Sequence, residues 1–228
     1  MSDNPKLWRY MDLTKFLALI INQNIYFNRA DNYEDVYEGL LTKLDQEKLK
    51  NNPSLEILIQ RKTSFINCWH QNDYESAAMW KLYGVINDAI AIETDLETLT
   101  NIIPSRIYIH KVEYIDYQTD SIIDLCFEKT GTLNIHDIMA YKRKSFVHEQ
   151  EYRAIYWHIP VDNEPLQPNM SWAHEKGINL TIDIKKLIKH VHISPYASDL
   201  VLSIVKSILY KYGLKEISVT KSGLYSLA

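Results

Sequence analysis

Cysteine is scarce in this chain. There are two in 228 residues, Cys68 and Cys126, far apart and in no CxxC pair. That excludes a disulfide scaffold and leaves reduced thiols as the expectation. Long hydrophobic runs are missing too. The longest, FLALII at Phe16 to Ile21, is far too short to cross a bilayer, and MSDNPKLWRYMD lacks the charged-then-apolar layout of a secretory leader. These features predict a cytoplasmic protein with no membrane partner. Nor is charge of one sign in excess: the formal net charge of −4 gives no field that would gather nucleic acid, so general nucleic-acid binding is not expected. Internal repeats, low-complexity tracts and linkers rich in glycine and serine are absent as well.

What is present is a chain that is 46% hydrophobic, enough to bury the core of one domain spanning 1–228. Short apolar strands alternate with helical patterns. LWRYM leads through Asp12 or Thr14, either a suitable cap, into the helical KFLALIINQN, and IYFN follows as a strand. SFINCWH and DAIAIET read as buried strands, and RIYIHKVEYIDY (106–117) as one long alternating strand. Helices are expected at Leu44 to Arg61 with a break at NNPS, where Ser54 would cap a second segment, at ESAAMWKLYG with Gly84 as its stop, at DLETLTNII behind Asp95, and over most of Ser121 to Lys144. The tail, NLTIDI, DIKKLIKH, VHIS, ASDLVLSIVKSILYKYG and EISVTKS, alternates strand and helix in the manner of a βαβ closure. The expected fold is α+β, a single domain with a mixed central sheet and helices packed around it. Val161 to Trp172, rich in proline, is expected to be an exposed loop or insertion.

Charge is concentrated in two places. RADNYEDVYEGL carries Asp31, Glu34, Asp35 and Glu38 without the spacing of an EF-hand, so pairing with arginine, Arg29 among them, is preferred to a metal site. KRKSFVHEQEYRAIYW sets three cations beside Glu149 and Glu151 and places Arg153 inside an apolar strand. Period-two alternation from this point would put Glu149, Glu151 and Arg153 on one face, where Arg153 can neutralise Glu151 or bind an anion. Cys68 and His70 share a strand face, but the other histidines are scattered, so neither a zinc site nor a cysteine nucleophile is well supported. No metal is expected. In ESAAMWKLYG, Met79, Trp80 and Tyr83 form an aromatic helix face, and Glu75 is placed to hold an incoming arginine. Most of the 16 tyrosines must be structural.

Several phrases together resemble a bacterial family known as domain of unknown function 2971: LWRYMDLTKFLALIINQNIYFNRADNYEDVYEG, NCWHQNDYESAAMWKLYG, YKRKSFVHEQEYRAIYW and GINLTIDIKKLIKHVHISP. The chain departs from the family pattern at Val36, where a proline usually precedes the aromatic of the acidic loop; Asp35, Glu38 and Gly39 are retained. The resemblance also points to phage defence or a toxin system.

More distantly, Arg9 and Tyr10 on the first strand, Tyr26 on the second and Glu149 or Glu151 before a late strand look like the layout of the ADP-ribosyltransferase fold. That resemblance implies NAD as substrate. Arg9, Tyr10, Tyr26 and Arg153 would contact it, and Glu151, aided by Glu149, would be the catalytic carboxylate facing the developing ribosyl cation. The alternative is a non-catalytic module that binds a small molecule, a macromolecular target or an inhibitor protein, using Arg9, the acidic loop and the KRK/EQE segment. A metal-dependent nuclease built on the acidic loop is a third reading.

Overall fold

The computed structural model describes residues 4–49, 61–83, 87–158 and 176–226. The expected NNPS break with its Ser54 cap, the Gly84 stop and the loop at 161–172 lie outside them. The strands described are β1 (Lys6–Asp12), β2 (Asn24–Arg29), β3 (Ser64–Gln71), β4 (Ala89–Asp95), β5 (Ile107–Lys111), β6 (Glu113–Ile115), β7 (Tyr141–Arg143), β8 (Glu151–Trp157), β9 (Gly177–Thr181), β10 (His190–Ile193) and β11 (Ser218–Lys221). The helices are α1 (Leu13–Asn22), α2 (Lys43–Lys48), α3 (Ala77–Tyr83), α4 (Leu96–Ile102), α5 (Ile122–Thr130), α6 (Ile135–Ile138), α7 (Ile184–Leu187) and α8 (Asp199–Lys211). The fold is α+β. Nine strands belong to one mixed sheet, while β6 and β7 form a separate parallel pair. The chain divides into two compact units.

The first unit comprises Met1–Ile25, Trp69–Pro104 and Leu180–Ala228. Its centre is β4, whose Ala89, Ile90, Ala91 and Ile92 are completely buried. β4 pairs antiparallel with β1 along seven residues and with β10 on its other side. β10 in turn pairs parallel with β11, and α8 makes the crossover, with Val201, Val205 and Leu209 facing inward at helical spacing. This is the βαβ closure expected from the tail. Asp12 caps α1 by accepting from the Lys15 N–H, and Asp95 caps α4 through the Thr98 N–H.

The second unit comprises Tyr26–Cys68 and Ser105–Asn179. Here the structure corrects two expectations. The long strand at 106–117 is two strands, because the chain changes partners at Val112. β5 runs antiparallel to β8, the Val112 N–H donates to the Glu151 carbonyl, and β6 then pairs with β7. Alternation continued through the break because both pieces bury one side, and no glycine or proline marks the switch. The Ser121 to Lys144 stretch is helical only over α5 and α6; Tyr141–Arg143 is strand, and Lys144–Glu149 is a 3-10 turn.

Asp45, fully buried, ties this unit together. Its Oδ2 accepts from the Thr42 N–H and hydroxyl at the start of α2 and from the Ile122 N–H at the start of α5, and its Oδ1 accepts from the Ser121 hydroxyl. One carboxylate therefore supplies acceptors to the orphan donors of two helix N-termini.

Candidate functional site

Arg153 sits on β8 with no exposed surface. Its Nη1 and Nη2 donate to the two oxygens of Glu38 at 2.6 and 3.0 Å, its Nε donates to Glu151 at 2.6 Å, and Nη1 also reaches the Met139 carbonyl at 2.6 Å. Lys142 on β7 donates to Glu151 at 2.8 Å and to Glu149, and lies 3.8 Å from Glu38. Three carboxylates and two cations are thus shut away together, each 5% exposed or less. The Glu38 side of the network depends on Gly39, whose φ of +66° suits glycine and whose missing Cβ would fall 2.6 Å from the Met139 sulfur.

The expectation that Glu149, Glu151 and Arg153 share a face holds in outcome but not in cause. Strand alternation joins only Glu151 and Arg153, since β8 begins at Glu151. Glu149 ends the 3-10 turn and is swung into the cluster by Gln150, whose φ is +41°.

Three negative charges against two positive leave one in excess. Burial, and then the neighbouring Glu151, push Glu149 up to about 7. Burial opposes ionisation of Glu151 as well, but Arg153 and Lys142 together hold it well below the usual carboxylate range. Burial likewise works against the charge on Lys142, and Glu151 with its fellow carboxylates more than restores it. Of the two carboxyls, Glu149 is the one that takes up a proton more readily and Glu151 the one held ionised.

At the edge of this cluster the acidic loop meets the KRK segment a second time. Arg143 makes a bidentate pair with Asp35, Nε to Oδ2 at 3.1 Å and Nη2 to Oδ1 at 2.7 Å. Its guanidinium lies 4.6 Å from the ring centroid of Tyr37 and 5.3 Å from that of Phe146. Around it Val36, Tyr37 and Val147 are exposed. Arg29 pairs with Asp31 at 2.5 Å, so the acidic loop is paired with arginines at Asp31, Asp35 and Glu38.

The other residues singled out from the sequence fall elsewhere. Arg9 and Tyr10 lie on β1 in the first unit; the Arg9 guanidinium is 5.9 Å from the Trp69 ring centroid, and the buried Tyr10 hydroxyl accepts from the Ser76 N–H. Tyr26 starts the second unit on β2 with its ring 42% exposed. Cys68 contacts the Tyr33 hydroxyl at 3.4 Å, and burial, followed by the nearby Glu151, pushes its thiol up to about 12. Both cysteines are free thiols. Among the described residues no group of three or more His, Cys, Asp or Glu side chains could hold a metal ion, and no helix is long and apolar enough to cross a membrane.

Sequence reasoning did not pair Glu38 with Arg153, or Asp35 with Arg143. The retained Asp35, Glu38 and Gly39 were the available signal. A family model described as a protein of unknown function (DUF2971) matches residues 79–154, a stretch that contains Lys142, Arg143, Glu149, Glu151 and Arg153. Neither the curated proteins nor the solved structures gave a match.

Proposed function

We propose that the chain is a non-catalytic binding module for a partner protein, and that its contact surface is the Arg143 platform of the second unit. The observation that carries this reading is a guanidinium fixed by Asp35 against the rings of Tyr37 and Phe146, with Tyr37 and the sequence neighbours of these rings, Val36 and Val147, exposed. Tyrosine and arginine are enriched at interface hot spots, and phenylalanine in the buried cores of interfaces. Here the arginine is already held in place, so binding would lose little further entropy.

The transferase reading is less well supported by the same geometry. A carboxylate that steadies a ribosyl cation needs an oxygen turned toward substrate. Both oxygens of Glu151 are taken, Oε1 by Lys142 and Oε2 by Arg153, and the residue is 5% exposed. Tyr10, assigned to NAD by the resemblance, is buried with its hydroxyl engaged. Glu149 and Glu151 then serve to hold Lys142 and Arg153 and, through them, the turn that carries Phe146 and Val147.

The test is a binding measurement. A protein captured by the wild-type chain from its source lysate, then purified, should bind with a Kd raised at least tenfold by Tyr37→Ala or Arg143→Ala and left unchanged by Tyr210→Ala, an exposed tyrosine on α8. NAD turnover by the wild type that disappears in Glu151→Gln would instead restore the transferase.

A further inference from the structure

The first unit carries a second constellation of charge, independent of the Arg143 surface. Trp8, Glu93 and His190 form one cross-strand row on β1, β4 and β10, and Tyr10, Ala91 and His192 form the next. Directly paired residues share a sheet face, and residues two apart on a strand do too, so all six point the same way. Glu75, just before α3, is brought over this face: its Oε2 accepts from the Trp80 indole at 3.0 Å, while Tyr10 accepts from the Ser76 N–H.

His192 stands between two carboxylates. Its ring is clamped between Trp8, centroids 4.7 Å apart, and His190 at 4.3 Å. Nε2 lies 3.1 Å from Glu93 Oε2, and Nδ1 faces Glu75 Oε1 at 4.0 Å, too far for a hydrogen bond. The charged and titratable groups around it are Lys6 and Tyr10 on β1, Glu93 on β4, His190 on β10, and Glu75. Lys6 pairs with Glu93 at 3.0 Å. Among the described residues no lysine or arginine pairs with Glu75. Burial, and then His190, hold His192 below the usual imidazole value against the pull of Glu93 and Glu75, so near neutrality the ring carries one proton. An ionised carboxylate can only accept, so that proton belongs on Nε2, toward Glu93.

Two acceptors then face each other across a gap with no donor between them: the Nδ1 lone pair and an anionic oxygen lacking a cation. A nitrogen placed between them could sit about 2.9 Å from each, an ordinary N–H to acceptor distance. The side chains of Glu75 and His192 are 21% and 13% exposed. We propose that Glu75 and His192 form a recognition site for a primary ammonium group, which donates one hydrogen to Glu75 Oε1 and another to His192 Nδ1. Glu93 orients the imidazole, and Trp8 and His190 fix its plane.

Competition by the proton follows. When His192 becomes an imidazolium, Nδ1 turns from acceptor to donor and satisfies Glu75 itself, so acid should displace the amine. The experiment is a titration of the full chain with 1,4-diaminobutane, read through the His192 imidazole NMR signals, assigned by their loss in His192→Gln. At pH 7.5 the 15N shifts should show the Nε2-protonated tautomer. The amine should move them saturably, and the midpoint concentration should rise at least fivefold at pH 5.5. Tetramethylammonium, a cation with no N–H, should have no effect. Glu75→Gln should abolish the response, and Glu75→Asp, which keeps the charge on a shorter arm, should weaken it several-fold and serves if Glu75→Gln does not fold. An imidazolium already present at pH 7.5, a linear response, or an equal response to tetramethylammonium or in either Glu75 variant would each overturn the site.

Discussion

Arg153 and Glu38, 115 residues apart in sequence, form a bidentate ion pair with neither side chain exposed to solvent. Two charges removed from water this completely are tolerated because both Glu38 oxygens and four of the five guanidinium N–H donors are engaged, so the pair fixes how the acidic loop meets β8 more than it adds net stability. Removing one partner leaves the other charged and buried. Glu38→Gln and Arg153→Met should each cost roughly 3–5 kcal/mol in urea unfolding. The double variant should cost less than the sum, since both charges then disappear together. An additive double variant would mean that the pair is not coupled.

Much of the fold was legible because its elements obey local rules. Asp12 and Asp95 cap helices where the sequence placed them, Ile92 and its neighbours on β4 form an unbroken apolar strand, and β10, α8 and β11 follow the expected alternation. The charged face of β8 was legible to the extent that alternation governs it, which is Glu151 and Arg153. Glu149 required a left-handed Gln150, a conformation no pattern of residue types announces. Glu38 was visible as a charge but not as the partner of Arg153, because pairing across 115 residues depends on the whole topology. The Glu75–His192 approach was hidden for the same reason: it needs β1, β4 and β10 in register and α3 laid over them.

The opposite shifts of Glu149 and Glu151 make stability depend on pH in two limbs of opposite sign. Glu149 is raised in the folded state, to about 7, so its contribution is complete below its ordinary unfolded value and is lost as pH climbs from there through about 7. Glu151 is lowered, so its contribution is present above the unfolded value and is lost as acid is added below it. Between pH 5 and pH 8 the Glu149 limb should remove roughly 1–3 kcal/mol, measured by denaturant unfolding at each pH. Glu149→Gln copies the protonated carboxyl and should flatten that limb, leaving the variant more stable than the wild type at pH 8. An unchanged slope would place the proton elsewhere.

Asp45 offers a test of how the second unit is held together. Its two oxygens serve Thr42, Ser121 and Ile122 at once. Asp45→Ala removes caps from α2 and α5 and strands buried donors, a loss of about 2–4 kcal/mol. Asp45→Asn keeps one acceptor oxygen in nearly the same volume and should lose about half as much. Thermal unfolding of the two variants beside the wild type gives the ranking, and equal losses would show that charge, and not acceptor count, is what the site uses.

Cys68 is the remaining candidate nucleophile, and its surroundings argue against that role. A reactive thiol needs a neighbouring cation or a helix N-terminus to favour its thiolate. At Cys68, burial and then the Glu151 anion outweigh the favourable pull of Arg153, Lys142 and the Tyr33 hydroxyl and drive the thiol up to about 12. At pH 7.5 the thiolate fraction is then about a thousandfold smaller than for an ordinary cysteine. Iodoacetamide labelling of the folded chain, followed by mass spectrometry, should leave Cys68 unmodified over the time in which an exposed thiol reacts completely. Cys126, pushed up to about 11 mainly by burial, should behave alike. Both should label at once in denaturant, which shows that the fold and not the chemistry of the reagent protects them. Rapid labelling of Cys68 in the native chain would require an open, cation-stabilised thiolate and would bring the nucleophile back into consideration.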